Sequence, residues 1–225
     1  MNSAIIVAAG RGTRMDNPDK LFLPLAGRPL VAHTWQRFEE ADCVHEIILV
    51  VRDGTQPAFA ALADQGRFRK PYRLVPGGPE RQDSVWNGIA ALHPDSEIVA
   101  IHDGARPCAG RELIAATVAA AAEAGAAVAA QRVTDTLKES ADGLFIARTI
   151  DRARLWAVQT PQTFRVAVIR RAMAAVREQG RHVTDDTAAC ELIGQPIKLV
   201  EVRTPNPKAT RPEDLPYLEW LLDQA

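Results

Sequence analysis

Short, uninterrupted apolar runs recur along the chain, at residues 4–9, 46–51, 72–75, 97–101 and 126–130. They are rich in β-branched residues and lack the in-out alternation of a half-buried strand. That pattern predicts strands covered on both faces, as in a parallel sheet. The stretches between them carry apolar residues at helical spacing. Over residues 81–92, Val85, Ile89 and Leu92 share one face. Residues 112–123 are alanine-rich with Leu113 and Val118 turned inward, and Gly125 is placed to stop the helix. Residues 164–178 align Ile169, Met173 and Val176, and a strand at 197–202 and a final helix after Arg211-Pro212 complete the pattern. Strands alternating with helices imply right-handed βαβ crossovers and an α/β fold with a doubly wound, mostly parallel sheet.

One stretch breaks the rhythm. Residues 133–160 hold short β-like pieces, at 133–137, 144–149 and 155–158, around an Asp142-Gly143 turn. A hairpin inside an α/β chain reads as an inserted arm. Residues 1–225 are otherwise expected to be one domain, because no linker, repeat or low-complexity segment interrupts them.

Composition narrows the function classes. The 225 residues are 47% hydrophobic and 24% charged, with a net charge of -1. No overall field draws in nucleic acid or an anionic membrane, so an anion site must be a local cluster. No apolar run approaches the roughly 20 residues of a membrane span. Cys43, Cys108 and Cys190 are too scattered for a disulfide framework or a zinc site, which suits a reducing cytoplasm. The chain enters its first strand without a basic leader, so no signal peptide is expected.

Candidate chemistry clusters where apolar runs end, which is where α/β sheets bind ligands. The first run leads into Ala8-Ala9-Gly10-Arg11-Gly12-Thr13-Arg14-Met15, with Lys20 shortly after. Two glycines allow close backbone approach to a phosphate, and Arg11, Arg14 and Lys20 supply cations. The segment is neither the dinucleotide fingerprint, since Met15 stands at the third glycine position, nor a P-loop. A second segment, Gly77-Gly78-Pro79-Glu80-Arg81-Gln82-Asp83-Ser84, opens a helix and offers Arg81 to an anion and Asp83 and Ser84 to a polar edge. Its plainer reading is a turn whose acids cap the helix. A third, His102-Asp103-Gly104-Ala105-Arg106-Pro107, puts an acid at a strand end, where it can hold Mg²⁺ together with nucleotide phosphates. The plainer readings are a buried Asp103–Arg106 pair that fixes the loop and a core histidine at His102.

Taken in order, these segments resemble the 2-C-methyl-D-erythritol 4-phosphate cytidylyltransferase family of the non-mevalonate isoprenoid pathway. The matching pieces are AAGRGTRM with Lys20, GGPERQDSV, HDGARP, DTLK, DRARLW, TPQTF, TDD, NPKAT and RPEDL, which together span residues 4–214. The resemblance implies a Rossmann-like transferase fold with a β-arm that makes a homodimer with shared active sites. It implies CTP as a substrate, Mg²⁺ or a similar divalent cation as cofactor, and a sugar-alcohol phosphate as acceptor. By the same resemblance, Arg14 and Lys20 stabilise charge on the triphosphate, and Lys208 and Arg152 orient the incoming phosphate. Ala8, Ala9, Gly10, Arg11, Gly12, Gly78, Arg81 and Ser84 surround the nucleotide. Asp103 sits near metal and ribose, while Arg106, Thr136, Thr160 and Thr184 contact the sugar phosphate. The arm residues Arg152 and Thr136 would serve the partner's site. Lys20-Leu21-Phe22, Gly104 and Pro79 depart from the usual family pattern.

Other readings remain open on the residues alone. A ribitol 5-phosphate cytidylyltransferase shares the nucleotide half of such a site, and another nucleotidyltransferase would differ in the base. An NAD-dependent dehydrogenase is opposed by the missing third glycine and the lack of an acid ending the second strand. A non-catalytic binding module is opposed by the complete set of cations.

Overall fold

The computed structural model describes residues 1–10, 20–65 and 68–224. In chain order it forms β1 (Asn2–Ala8), a small ladder of β2 (Pro24–Leu25) and β3 (Arg28–Pro29), α1 (Leu30–Glu39), β4 (Glu46–Val51), α2 (Gln56–Asp64), β5 (Tyr72–Pro76) and α3 (Arg81–Ala90). There follow β6 (Ile98–Asp103), α4 (Arg111–Ala124), β7 (Ala126–Arg132), a second ladder of β8 (Lys138–Glu139) and β9 (Arg148–Thr149), and β10 (Trp156–Arg165). The described chain finishes with α5 (Val166–Glu178), α6 (Asp186–Leu192), β11 (Lys198–Glu201) and α7 (Leu215–Asp223).

Seven strands make one sheet in the order β11-β7-β10-β6-β1-β4-β5. β1 is parallel to β4 and β6, β4 to β5, and β11 to β7, whereas β10 is antiparallel to both its neighbours. The continuous apolar runs arise because both faces are covered. Along β4, Ile47, Leu49 and Val51 join the core that α1 and α7 close with Trp35, Phe38 and Leu218. Ile48 and Val50 face the other way, into the core that α3 and α5 close with Ile89, Ile169 and Met173. Helices on both faces of a mostly parallel sheet make the doubly wound arrangement expected from the pattern. Helix α4 stops where expected, at Gly125 in the left-handed conformation with φ 88°.

The structure corrects the reading of residues 133–165. The piece at 155–158 is not part of an arm: Trp156 begins a strand that continues to Arg165 between β6 and β7. Apolar periodicity missed its second half because most of the buried positions there are polar, Phe164 excepted. Gln159, Thr160, Gln162 and Thr163 are all buried. They are satisfied by hydrogen bonds, Gln162 Nε2 to Asp185 Oδ2 at 2.9 Å and Thr163 Oγ1 to Thr117 Oγ1 at 3.0 Å among them. The piece at 133–137 is not strand, and of 144–149 only Arg148 and Thr149 pair, with Lys138 and Glu139. Leu144, Phe145 and Ile146 near the tip of this hairpin are 81%, 74% and 65% exposed. Helices α1, α2 and α6 were not foreseen.

Candidate active site

Parallel neighbours place the carboxyl ends of β1, β4, β5 and β6 along one edge, and each delivers a turn into the same cavity, about 480 Å³ in volume. Ala9 and Gly10 follow β1, Arg52 and Asp53 follow β4, Gly77 and Gly78 follow β5, and Gly104 and Ala105 follow Asp103 at the end of β6. Lys20, on a short 3-10 turn, and Lys208, on the loop after β11, complete the lining.

Two glycines are needed for the turns to fit together. A Cβ on Gly77 would meet the Ala9 Cβ at 2.3 Å, and one on Gly78 would meet the Asp83 Cβ at 2.3 Å. Gly77 N–H donates to Val51 O at 2.8 Å, and Gly78 N–H donates to Ser84 Oγ at 3.0 Å. Ser84 Oγ–H in turn donates to Glu80 O at 3.2 Å. Asp83 is occupied in capping α3, its Oδ2 accepting from Glu80 N–H at 3.1 Å. For Asp83 the plainer reading, a capping acid, is therefore what the structure shows.

Asp103 is the electrostatic centre. Its Oδ2 lies 2.8 Å from Lys208 Nζ and 3.5 Å from Arg106 Nε, and its Oδ1 lies 3.6 Å from Arg81 Nε. Burial alone would raise its carboxyl, but Lys208, then Arg81 and Arg106, hold it well below the usual carboxylate range. Arg81 grips Asp186 with both ends of its guanidinium, Nη1–Oδ1 and Nη2–Oδ2 at 2.8 Å each. Burial alone would lower Arg81; Asp186, followed by Asp103 and Asp185, outweighs it and raises the guanidinium above its ordinary value. Lys20 Nζ donates to Ala209 O at 3.3 Å, next to Lys208.

Among the expected site residues, Ala9, Gly10, Lys20, Gly78, Arg81, Ser84, Asp103 and Lys208 line this cavity. Ala8 is buried beneath it, 5% exposed. Arg11, Gly12 and Arg14 lie outside the described residues. Arg106 does not line it: its Nη1 donates to Asn206 O at 2.8 Å, and its partner is Asp103, the loop-fixing pair named among the plainer readings. Thr160 is 4% exposed, with its hydroxyl engaged by His102 Nδ1 at 3.0 Å and Asp103 N–H at 3.1 Å. His102 is a core histidine, 0% exposed, and burial pushes it down to about 4. Thr184 is exposed, and Thr136 and Arg152 are exposed on the hairpin segment, where Arg152 Nη1 donates to Thr134 O. Sequence reading missed Arg52 and Asp53, although their place directly after a parallel strand marked them. It also missed Asp186 as the partner of Arg81, which no local signal reveals.

Among the described residues Asp53, Glu80 and Asp103 bring carboxylates to the cavity, and Asp103, at the end of β6, is the one expected to meet a divalent cation. Among the described residues no group of three His, Cys, Asp or Glu side chains is placed to hold a metal. That donor set fits Mg²⁺, which takes one or two carboxylates and fills its octahedron with waters and phosphate oxygens. A wall of backbone turns with Lys20, Arg52, Arg81 and Lys208 suits a polyphosphate.

A family model described as IspD: 2-C-methyl-D-erythritol 4-phosphate cytidylyltransferase matches residues 2–224. The protein of that name from Geobacillus kaustophilus is 46% identical over 220 residues, 97% of this chain and 96% of its own. One from Pelotomaculum thermopropionicum is 43% identical over 222 residues, 98% of this chain and 93% of its own. Among solved structures, 2-C-methyl-D-erythritol 4-phosphate cytidylyltransferase from Thermus thermophilus superposes with a TM-score of 0.83 at 32% identity, covering 99% of this chain and 100% of that one. The 4-diphosphocytidyl-2C-methyl-D-erythritol synthase of Anaerococcus prevotii gives a TM-score of 0.88 at 30% identity, covering 99% and 96%.

Proposed function

The chain belongs to the 2-C-methyl-D-erythritol 4-phosphate cytidylyltransferase family, and on that premise we propose that it joins 2-C-methyl-D-erythritol 4-phosphate to CMP taken from CTP, releasing pyrophosphate. It is a nucleotidyltransferase, and the reaction is a step in isoprenoid precursor synthesis. The observation that carries this reading is the match along residues 2–224, set on a cavity that, among the described residues, Lys20, Arg52, Arg81 and Lys208 line with positive charge.

In the transfer, an oxygen of the acceptor's phosphate attacks the α-phosphorus of CTP. The bond from that phosphorus to the bridging oxygen breaks, and its electrons leave with pyrophosphate. Such a displacement asks little covalent chemistry of the protein and much positioning and positive charge. Lys20 and Arg14 stabilise charge on the triphosphate, and Lys208 orients the acceptor phosphate. Gly10, Gly78 and Ser84 leave room for the nucleotide against backbone. Asp103 would hold Mg²⁺, which would supply charge neutralisation at the phosphates.

The same reading makes the enzyme a homodimer. Leu144, Phe145 and Ile146 present apolar surface on a two-strand hairpin, which is marginal alone in water. Covering it with a second chain brings Arg152 and Thr136 to the partner's site. Three free thiols, Cys43, Cys108 and Cys190, suit a reducing cytoplasm.

A pyrophosphate-release assay with CTP and Mg²⁺ tests the assignment. Release is expected with 2-C-methyl-D-erythritol 4-phosphate, not with ribitol 5-phosphate, and more with CTP than with UTP. Equal release with ribitol 5-phosphate would move the chain to the sister activity, and equal use of UTP would remove the cytidylyl assignment.

A further inference from the structure

His102 is wholly buried against the Phe38 ring, 4.9 Å between centroids, where an apolar side chain would pack as well. What it adds is two ring nitrogens, and both reach the segment that carries the site. Nε2 lies 3.0 Å from Arg106 O, and Nδ1 lies 3.0 Å from Thr160 Oγ1. Thr160 Oγ1 also lies 3.1 Å from Asp103 N.

Only one arrangement of hydrogens satisfies this set. Arg106 O can only accept, so Nε2–H donates to it. A neutral ring then leaves Nδ1 as an acceptor, and Thr160 Oγ1–H donates to it. The lone pairs of Thr160 Oγ1 are left to accept from Asp103 N–H. The chain runs Asp103 N–H to Thr160, Thr160 to His102, and His102 to Arg106 O, so it pins both ends of the turn 103–106. A second pair of bonds closes the circuit. Arg106 Nη1 donates to Asn206 O at 2.8 Å, and Asn206 Nδ2 donates to Thr160 O at 2.8 Å. Asn206 precedes Lys208 by two residues, and Lys208 Nζ meets Asp103 Oδ2 at 2.8 Å.

We propose that His102 and Thr160 are positioning residues for the cytidylyl transfer: together they hold the Asp103 turn, and with it the Asp103–Lys208 pair, in register with the phosphates. This rests on the cytidylyltransferase reading. A charge that must meet a transferring phosphoryl group works only if held in place beforehand, and a displacement near 1 Å costs roughly a hundredfold in rate. Two neutral, fully bonded side chains can fix the backbone under Asp103 without adding charge to the site.

Thr160→Val, which keeps the shape and removes the hydroxyl, and Thr160→Ser, which keeps the hydroxyl, are assayed by pyrophosphate release beside circular dichroism and melting. Folded Thr160→Val should lose roughly 10- to 100-fold in kcat/KM, and Thr160→Ser should stay near the parent. The decisive measurement repeats Thr160→Val in an Asp103→Asn background. Because Thr160 acts through Asp103, the further loss there should be less than about threefold. If Thr160→Val is fully active, or loses its whole factor again without Asp103, the inference is overturned, and in the second case the hydroxyl acts on the acceptor directly. Should Thr160→Val fail to fold, His102→Gln takes its place, since it retains a donor toward Arg106 O and removes the acceptor for Thr160. A parent enzyme silent with CTP and 2-C-methyl-D-erythritol 4-phosphate would overturn the activity assignment instead. The same variants are then compared by calorimetric affinity for CTP with Mg²⁺, where the same coupling is expected.

Discussion

Lys208 Nζ meets Asp103 Oδ2 at 2.8 Å, joining two residues 105 positions apart in the chain. The contact ties the loop after β11 to the end of β6, on opposite sides of β10 in the sheet order. Asp103 also has Arg81 and Arg106 within 3.6 Å, so three cations share one carboxylate before any phosphate arrives. In the proposed reaction, incoming phosphates would compete for those cations and leave the carboxylate to meet a divalent ion.

Lys208→Ala should therefore lower kcat by roughly 10²- to 10³-fold, the range for removing one preorganised donor. Affinity for CTP should change much less, because the lysine faces the acceptor's phosphate in the proposed reaction. Steady-state pyrophosphate release with each substrate varied in turn separates the two. A change confined to the KM for CTP would assign Lys208 to the nucleotide.

Chelation with EDTA should abolish turnover, and Mg²⁺ should restore it. Asp103→Asn should raise the Mg²⁺ concentration giving half-maximal rate and slow the saturated rate. Full activity in metal-free buffer would remove the divalent ion from the reaction.

Breaking the Arg81–Asp186 pair should weaken the fold itself. Asp186 is 1% exposed and carries two 2.8 Å bonds to one guanidinium. Asp186→Ala leaves Arg81 partly buried with its bidentate partner gone, and removing one member of such a pair costs on the order of 3 kcal/mol. Urea unfolding followed by circular dichroism measures this as a lower midpoint at unchanged slope.

Shared sites can be tested by mixing chains. Lys20→Ala and Arg152→Ala enzymes should each be nearly inactive. After co-refolding, one site of a mixed dimer combines intact Lys20 from one chain with intact Arg152 from the other, so part of the activity should return. Proven mixed dimers without recovered activity would assign Arg152 to its own chain.

The cysteines should be inert in the native protein. Burial pushes Cys108 up to about 11 and Cys190 up to about 12, and Cys190 is 0% exposed. At pH 8 so little thiolate forms that a disulfide reagent should modify Cys190 at least roughly 100-fold more slowly than a free thiol. Adding denaturant should bring it to the ordinary rate.

The sequence by itself determined the sheet and most of its positions. Residues 46–51 read as a strand because they are apolar on both faces, and Ile47, Ile48, Leu49 and Val50 do enter two different cores. The turns after β1, β5 and β6 were legible as candidate site segments because glycines and cations follow directly on apolar runs, and described residues of all three line one cavity. Tertiary structure alone decided the second half of β10 and its place in the sheet, since Gln159, Thr160, Gln162 and Thr163 look like loop until their hydrogen-bond partners on α4, the α6 cap and β6 are in place. It also decided which charged residues act together. Arg81 with Asp186 and Asp103 with Lys208 are local anonymities, each an ordinary polar residue in its own segment. They become pairs only when crossovers bring distant strand ends to one edge, because hydrogen bonds and ion pairs are set by distance in space and periodicity reports only what is near in sequence.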